Sequence, residues 1–157
     1  MKLISFYLIL VFVSWFDCTL AQPKVDPNGY NTFYHSNGNI SSEGNLQEGK
    51  PNGYWKTYYS NGVLKSQGNR INFELDSVWK FYSDSGLIEN EIRYKNNKKN
   101  GFSNVYDSLG NLVSTCNYIQ NQKNGEELIF YPNGSIKQRT SYNQGRKDGN
   151  SSVYNES

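Results

Sequence analysis

The chain has 157 residues and a formal net charge of +2, and 15% of its residues are aromatic, among them 13 tyrosines. This aromatic content excludes a disordered chain, and the abundance of Gly and Asn disfavours helices. The positive charge is too small to indicate nucleic acid as a partner, and we expect none.

The start of the chain, 1–21, is predicted to be a secretory signal peptide. Lys2 gives a positive start, an almost unbroken apolar run covers 3–16, and Thr19 and Ala21 are small residues at the −3 and −1 positions of a cleavage site. The run is short for a membrane-spanning helix, which needs roughly 20 residues. We therefore expect 1–21 to form a helix that is cleaved after Ala21, so that the protein is exported to the periplasm or secreted.

An uncleaved membrane anchor and a lipid on Cys18 are the alternatives to a cleaved signal. Phe16 and Asp17 stand where a lipid-attachment sequence has small residues, which disfavours lipidation. Residues 22–27 are predicted to be a short linker. Cys116 is then the one cysteine of the mature chain, so its fold must hold by packing and not by an internal disulfide.

The spacing between Gly29 and Gly53 recurs as a regular period through the rest of the chain. Its zero position is glycine except at Ser77, position +5 is aromatic, position +9 is glycine and position +11 is aliphatic. The zero positions are Gly29, Gly53, Ser77, Gly101, Gly125 and Gly149. Position +5 holds Tyr34, Tyr58, Tyr82, Tyr106, Phe130 and Tyr154, and position +11 holds Ile40, Leu64, Ile88, Leu112 and Ile136. The glycines at +9 are Gly38, Gly62, Gly86, Gly110 and Gly134. Chance does not produce four series in phase, so the chain is a repeat array.

The array is predicted to cover 28–157. Its repeats are 28–51, 52–75, 76–99, 100–123, 124–147 and, in part, 148–157. Each repeat has two extended stretches, and the second alternates polar residues, such as Lys65, Gln67 and Asn69, with more apolar ones. Alternation with period two is typical of a half-buried β-strand, so each repeat is predicted to be a β-hairpin.

The turn within each hairpin is predicted to be a three-residue loop in which only the glycine at +9 is left-handed. A two-residue type I′ turn would need positive φ at Leu109, which a branched side chain resists. Pro132 instead suits the second position of a type I turn. This glycine-bulged loop places the aromatic side chain at +5 directly opposite the aliphatic one at +11.

Polar connectors rich in Gly and Asn are predicted between repeats, at 48–53, 96–101 and 121–125. The chain then folds back at each connector, which gives an elongated antiparallel meander of roughly ten to twelve strands. We expect a local kink or altered twist at Ser77, where the glycine is missing. The fold class is therefore all-β, a sheet of stacked hairpins that stabilise one another.

The segment at 53–65, with Gly53, Trp55, Tyr58 and Gly62, resembles the MORN repeat. It is more similar to the MORN variant repeats of bacterial YwqK-family antitoxins of toxin–antitoxin systems. The resemblance covers 28–157 and implies stacked hairpins in a twisted sheet with a protein- or membrane-binding role. It implies no catalytic residues and no cofactor.

The search for chemistry in the sequence also indicates no enzyme. His35 is the one histidine, and it is predicted to be an exposed residue at a strand end. Cys116 occupies a position that is small or apolar in other repeats, so it is predicted to be a buried thiol, with an intermolecular disulfide as the alternative. Carboxylate pairs such as Glu89 and Glu91 lie on a flat sheet without a cleft. We expect no catalytic site, no metal and no cofactor.

Two sets of residues form the candidate binding surface. The basic set lies at the turns between repeats, where stacking brings it to one sheet edge that could attract anionic lipid or a surface polymer; edge protection is the alternative. Its members are Lys98, Lys99, Lys123 and Lys147, together with Lys50 and Arg146. The aromatic set is predicted to project from the face opposite positions +5 and +11. Its members are Trp55 and Trp79 at +2, and Tyr59 and Tyr131 at +6.

The sequence therefore predicts an exported, non-enzymatic scaffold or protein-binding module, antitoxin-like by resemblance, whose partner is another protein. The alternative is a repeat protein that binds a cell-surface glycan or a membrane, with Trp and Tyr rings stacked on the ligand.

Overall fold

The computed structural model describes residues 24–156, which form one antiparallel sheet of eleven strands in chain order. The strands are β1 (Tyr30–Tyr34), β2 (Ile40–Gln47), β3 (Lys50–Tyr58), β4 (Leu64–Ile71), β5 (Glu74–Tyr82), β6 (Ile88–Lys95), β7 (Lys98–Tyr106), β8 (Leu112–Ile119), β9 (Gln122–Phe130), β10 (Ile136–Asn143) and β11 (Arg146–Val153). The predicted all-β meander of hairpins is confirmed. The predicted signal peptide lies outside the described residues, and within them no helix is long and apolar enough to span a bilayer.

The turn inside each hairpin is the predicted three-residue loop. In the first repeat the amide of His35 donates to the carbonyl of Asn39 (2.8 Å), and the amide of Gly38 donates to the carbonyl of His35 (3.0 Å). Gly38 has a φ of 87°, whereas Leu109, which precedes the equivalent glycine of the fourth repeat, is not left-handed. The same two bonds recur in all five hairpins, so one turn geometry serves the whole array.

The predicted pairing across the turn is also confirmed. Positions +5 and +11 are direct partners: Tyr34 with Ile40, Tyr58 with Leu64, Tyr82 with Ile88, Tyr106 with Leu112, and Phe130 with Ile136. The register then shifts by one place, because position +12 has no partner of its own. Beyond this second bulge, position +2 pairs with position +15, as Trp55 does with Gly68.

The junctions between repeats are tighter than the predicted connectors. Each is a two-residue turn with both residues left-handed, such as Glu48 (φ 51°) with Gly49 (φ 74°), and Asn96 (φ 51°) with Asn97 (φ 61°). Such a turn matches the right-handed twist of its strands, so the strands continue up to it. The chain does turn back at the predicted connectors 48–53, 96–101 and 121–125, but these connectors are too long, because most of their residues belong to β3, β7 and β9.

The zero-position residue creates a bulge just after each junction. Gly53 has a φ of 80° and lies where the β2–β3 register shifts. Ser77 takes the same left-handed conformation (φ 60°) and pairs with Tyr94 as Gly101 pairs with Tyr118. The expected kink is absent at Ser77, because the surrounding ladder holds the serine in the glycine's conformation at the expense of some backbone strain. The alternative, an altered twist at this place, stays a prediction.

The core of the sheet is a line of side chains on one face, which we call the tryptophan face. Leu46, Trp55 and Trp79 form its buried cluster. Phe33, Leu75, Phe81 and Tyr94 pack around them. The pairs at +5 and +11 were expected to carry the packed face, but their side chains are half-buried or exposed. This expectation is wrong because the glycines at +15, Gly44 and Gly68, leave room for the indoles of Trp55 and Trp79 on the other face.

Candidate binding surface on the tryptophan face

Trp55 and Trp79 are buried structural residues, with exposures of 6% and 3%. A Cβ added at Gly44 would lie 2.2 Å from the ring of Trp55, and one added at Gly68 would lie 2.4 Å from the ring of Trp79. Each indole therefore lies on the bare backbone of the preceding strand. The expectation that these tryptophans project as a binding surface is wrong. The sequence signal for their burial was a glycine at +15, eleven places before each tryptophan.

Tyr59 and Tyr131 connect neighbouring hairpins along the turn edge. The Tyr59 hydroxyl donates to the carbonyl of Tyr82 (2.8 Å), and the Tyr131 hydroxyl donates to the carbonyl of Tyr154 (2.9 Å). His35 occupies the same +6 position and makes the equivalent contact to the next repeat. Because each side chain reaches 23 residues ahead, these residues hold successive turns together. His35 is thus half-buried and bonded, and is not the exposed residue expected.

Lysines partly shield the two tyrosine rings at this edge. The ammonium of Lys65 lies 5.3 Å from the ring centroid of Tyr59, and that of Lys137 lies 5.5 Å from that of Tyr131. Contacts of this kind contribute about 0.5–1 kcal/mol at exposed sites. Tyr59 and Tyr131 therefore offer only part of each ring to a partner.

The predicted basic set divides between the two faces. Lys99, Lys123 and Lys147 share position −2 and pair directly with Tyr94, Tyr118 and Tyr142 across the turns between repeats. Tyr94 packs against the tryptophan cluster, which places this set on the tryptophan face. Lys98 precedes Lys99 in β7, so its exposed side chain points to the other face.

Tyrosines and lysines alternate along this line, which we call the tyrosine–lysine row. Lys99 lies 5.0 Å from the ring of Tyr118, and Lys123 lies 4.8 Å from the ring of Tyr142. Lys99 therefore lies between Tyr94 and Tyr118, and Lys123 lies between Tyr118 and Tyr142. The order is Tyr94, Lys99, Tyr118, Lys123, Tyr142 and Lys147, from β6 to β11. The candidate binding surface predicted from the sequence includes the lysines but leaves out the tyrosines, although a Tyr stands five places before each of these lysines.

Glu127 places a carboxylate beside the middle lysine of the row. The Lys123 ammonium donates to this carboxylate. Desolvation works to lower the pKa of Lys123, but the hydrogen bond and charge of Glu127 outweigh it, and the pKa is raised. Desolvation and then the Glu127 carboxylate raise the pKa of Tyr142. The middle cation is therefore satisfied within the chain.

Cys116 is buried on the tryptophan face beside the row, and its burial is as predicted. Its exposure is 6%, and its thiol lies 3.4 Å from the carbonyl of Asn117. Desolvation and the nearby Glu127 carboxylate raise the pKa of the thiol, so it stays protonated at neutral pH. Within residues 24–156, no three His, Cys, Asp or Glu side chains gather where they could hold a metal ion.

Comparison with known protein families matches the repeats directly. The family model of the MORN repeat variant matches residues 27–48, 51–72 and 123–144. No curated protein matches the chain. Each matched segment covers one hairpin and the first residue of the turn that follows it. The hairpins between the matched segments have the same pairing and the same bulges. Three of the hairpins of this chain are therefore MORN variant repeats.

Proposed function

We propose that the protein is an exported, non-enzymatic scaffold that binds another protein on the second half of its tryptophan face. MORN variant repeats support a repeat-based binding module. The observation that carries the proposal is the change along this face. Position +2 is a buried tryptophan in the second and third repeats, but it is Ser103, Glu127 and Ser151 in the later ones. There the half-exposed tyrosine–lysine row takes the place of the apolar cluster.

The proposed absence of catalysis rests on how the reactive groups are used. The ring of His35 bonds the carbonyl of Tyr58 (3.0 Å), and Cys116 is buried as a protonated thiol. Glu91 lies 3.5 Å from the Lys80 ammonium across a strand pair. These contacts hold hairpins together, so each group already has a structural role.

A protein partner is preferred to a glycan because the tryptophan rings are covered. A sugar platform needs open aromatic faces, and both indoles lie against backbone. Export is supported by the charged start, apolar run and small-residue cleavage site of 1–21. The antitoxin-like resemblance stays a prediction.

Site-specific photo-crosslinking in the source cells tests the proposal. Val105 is exposed on the tryptophan face, two residues along β7 from Ser103, whereas Asn117 is exposed on the opposite face of neighbouring β8. A photoreactive residue at Val105 is expected to trap a discrete protein, and one at Asn117 is expected to trap none. Equal trapping from both faces, or no adduct from Val105, would contradict the proposal.

A further inference from the structure

We propose that the tyrosine–lysine row binds an extended acidic peptide segment with two acidic side chains six residues apart, one at Lys99 and one at Lys147. This inference rests on the proposed protein-binding function and names the chemistry of the partner at the same surface. The segment would lie across the strands, along the row, and not add to a sheet edge.

Four places after each lysine of the row, the chain presents a second side chain on the tryptophan face. Lys99 is followed by Ser103, Lys123 by Glu127 and Lys147 by Ser151. These are equivalent places on the same face, one repeat apart. Of the three, only Glu127 has a carboxylate, and this carboxylate accepts a hydrogen bond from Lys123.

Glu127 thus shows that a carboxylate fits this part of the surface, beside an ammonium group and a tyrosine. In the described part of the chain Lys99 and Lys147 belong to no ion pair. Both have only tyrosine neighbours in the row, so they are the two cations that an incoming acidic group can meet. A third acidic group between them would meet the carboxylate of Glu127 and be repelled.

The distance between Lys99 and Lys147 sets the distance between the two acidic side chains of the ligand. They lie on β7 and β11, four strands apart, which is about 19 Å at roughly 4.8 Å per strand. A polyproline II segment has three residues per turn and rises roughly 3.1 Å per residue, so side chains six apart share a side at about 19 Å. This conformation needs no backbone partner and is bound by aromatic-lined surfaces elsewhere.

The test uses proline-rich fluorescent peptides and the full mature protein. One peptide has glutamates at positions i and i+6, a second has them at i and i+5, and a third has them at i, i+3 and i+6. Fluorescence anisotropy is expected to give at least about threefold tighter binding for the first peptide than for the second, whose carboxylates point to different sides.

Substitutions in the protein locate the binding site. Lys99→Gln and Lys147→Gln are each expected to weaken binding of the first peptide by about three- to fivefold, as loss of a partly exposed charge pair predicts. Lys98→Gln, on the opposite face, is expected to change it by less than about twofold. Glu127→Gln frees the middle lysine, so the three-glutamate peptide should become the tightest ligand, whereas wild type should prefer the two-glutamate peptide.

Equal affinity for the first two peptides, or equal effects of Lys98→Gln and Lys99→Gln, would show nonspecific charge attraction and overturn the inference. The inference would also fail if phosphatidylserine vesicles bound through Lys99 and Lys147 and the peptides did not compete. The photo-crosslink from Val105 separates the two proposals. If it persists in the Lys99→Gln/Lys147→Gln protein, the inference fails and the protein-binding function stands.

Discussion

At the scale of single residues, the tryptophan face depends on glycines, which have no side chain and so leave room for the large indole of a neighbouring strand. Trp55 lies between Gly44 and Gly68, its direct partners on the two neighbouring strands. The next tryptophan, Trp79, covers Gly68 in turn and donates from its indole nitrogen to the carbonyl of Asn69 (2.9 Å). A one-layer sheet has no second layer to bury an indole, so the glycine backbone provides the covering surface.

Gly68→Ala is expected to lower the free energy of unfolding by about 1–3 kcal/mol, the usual cost of overpacking. The cause is steric, because Gly68 is not left-handed and its new methyl group would lie 2.4 Å from the Trp79 ring. Urea unfolding measures the loss. Trp79→Phe provides the control in a double-mutant cycle: the smaller ring should relieve part of the clash, and strictly additive effects would refute the account.

At the scale of the hairpin, side chains at position +5 bond the strand of the preceding repeat. The Tyr58 hydroxyl donates to Glu43, and the Tyr82 hydroxyl accepts from Gln67 at the equivalent place one repeat later. The tyrosine contact is the largest cause of the lowered pKa of Glu43, ahead of the opposing desolvation. The contact between Tyr58 and Glu43 therefore contains a titratable carboxyl group, whereas the equivalent contact between Tyr82 and Gln67 is neutral.

Tyr58→Phe is expected to reduce the acid sensitivity of folding, whereas Tyr82→Phe should not. A carboxyl group whose folded pKa is depressed adds stability above its unfolded pKa of about 4.3, and this stability is lost as pH falls through the lower folded value. Unfolding free energies at pH 7 and below pH 4 measure the difference. Both variants lose a hydrogen bond, so an equal change in pH dependence would show that Glu43 is not responsible.

At the scale of the whole molecule, neighbouring hairpins contact one another through the sheet, and several of them also do so at its two edges. Tyr59 and Tyr131 bond the next hairpin at one edge. At the other, Asn97 and Asn121 of the two-residue turns bond the backbone of the preceding repeat. Stability is then a sum of repeat and nearest-neighbour terms, and damage should stay local.

Trp79→Ala tests this locality. Loss of a buried indole costs about 3–5 kcal/mol, and the cost should be concentrated in the hairpins that meet at Trp79. Hydrogen exchange followed by mass spectrometry is expected to show lost protection in β3–β6 and nearly unchanged protection in β8–β10. Uniform loss across all strands would mean that the array unfolds as one unit.

The sequence by itself determined the hairpin, its turn and its pairing. The glycine at +9 and Pro132 restrict the backbone of the turn locally, and such local restrictions follow from the residue type alone. The same periodicity indicated the sheet class and the stacking of repeats, and it brought out Lys99, Lys123 and Lys147 as a set.

Only the tertiary structure decided which face is packed and which residues are free to bind. Positions +2 and +5 lie three places apart on one strand, so alternation puts them on opposite faces, but it does not say which of the two faces is packed. Whether an indole is buried depends on the strand beside it, as with Trp55 on Gly44, and that neighbour is a long-range property. Tyr118 and Lys123 likewise come together only because a two-residue turn makes them partners.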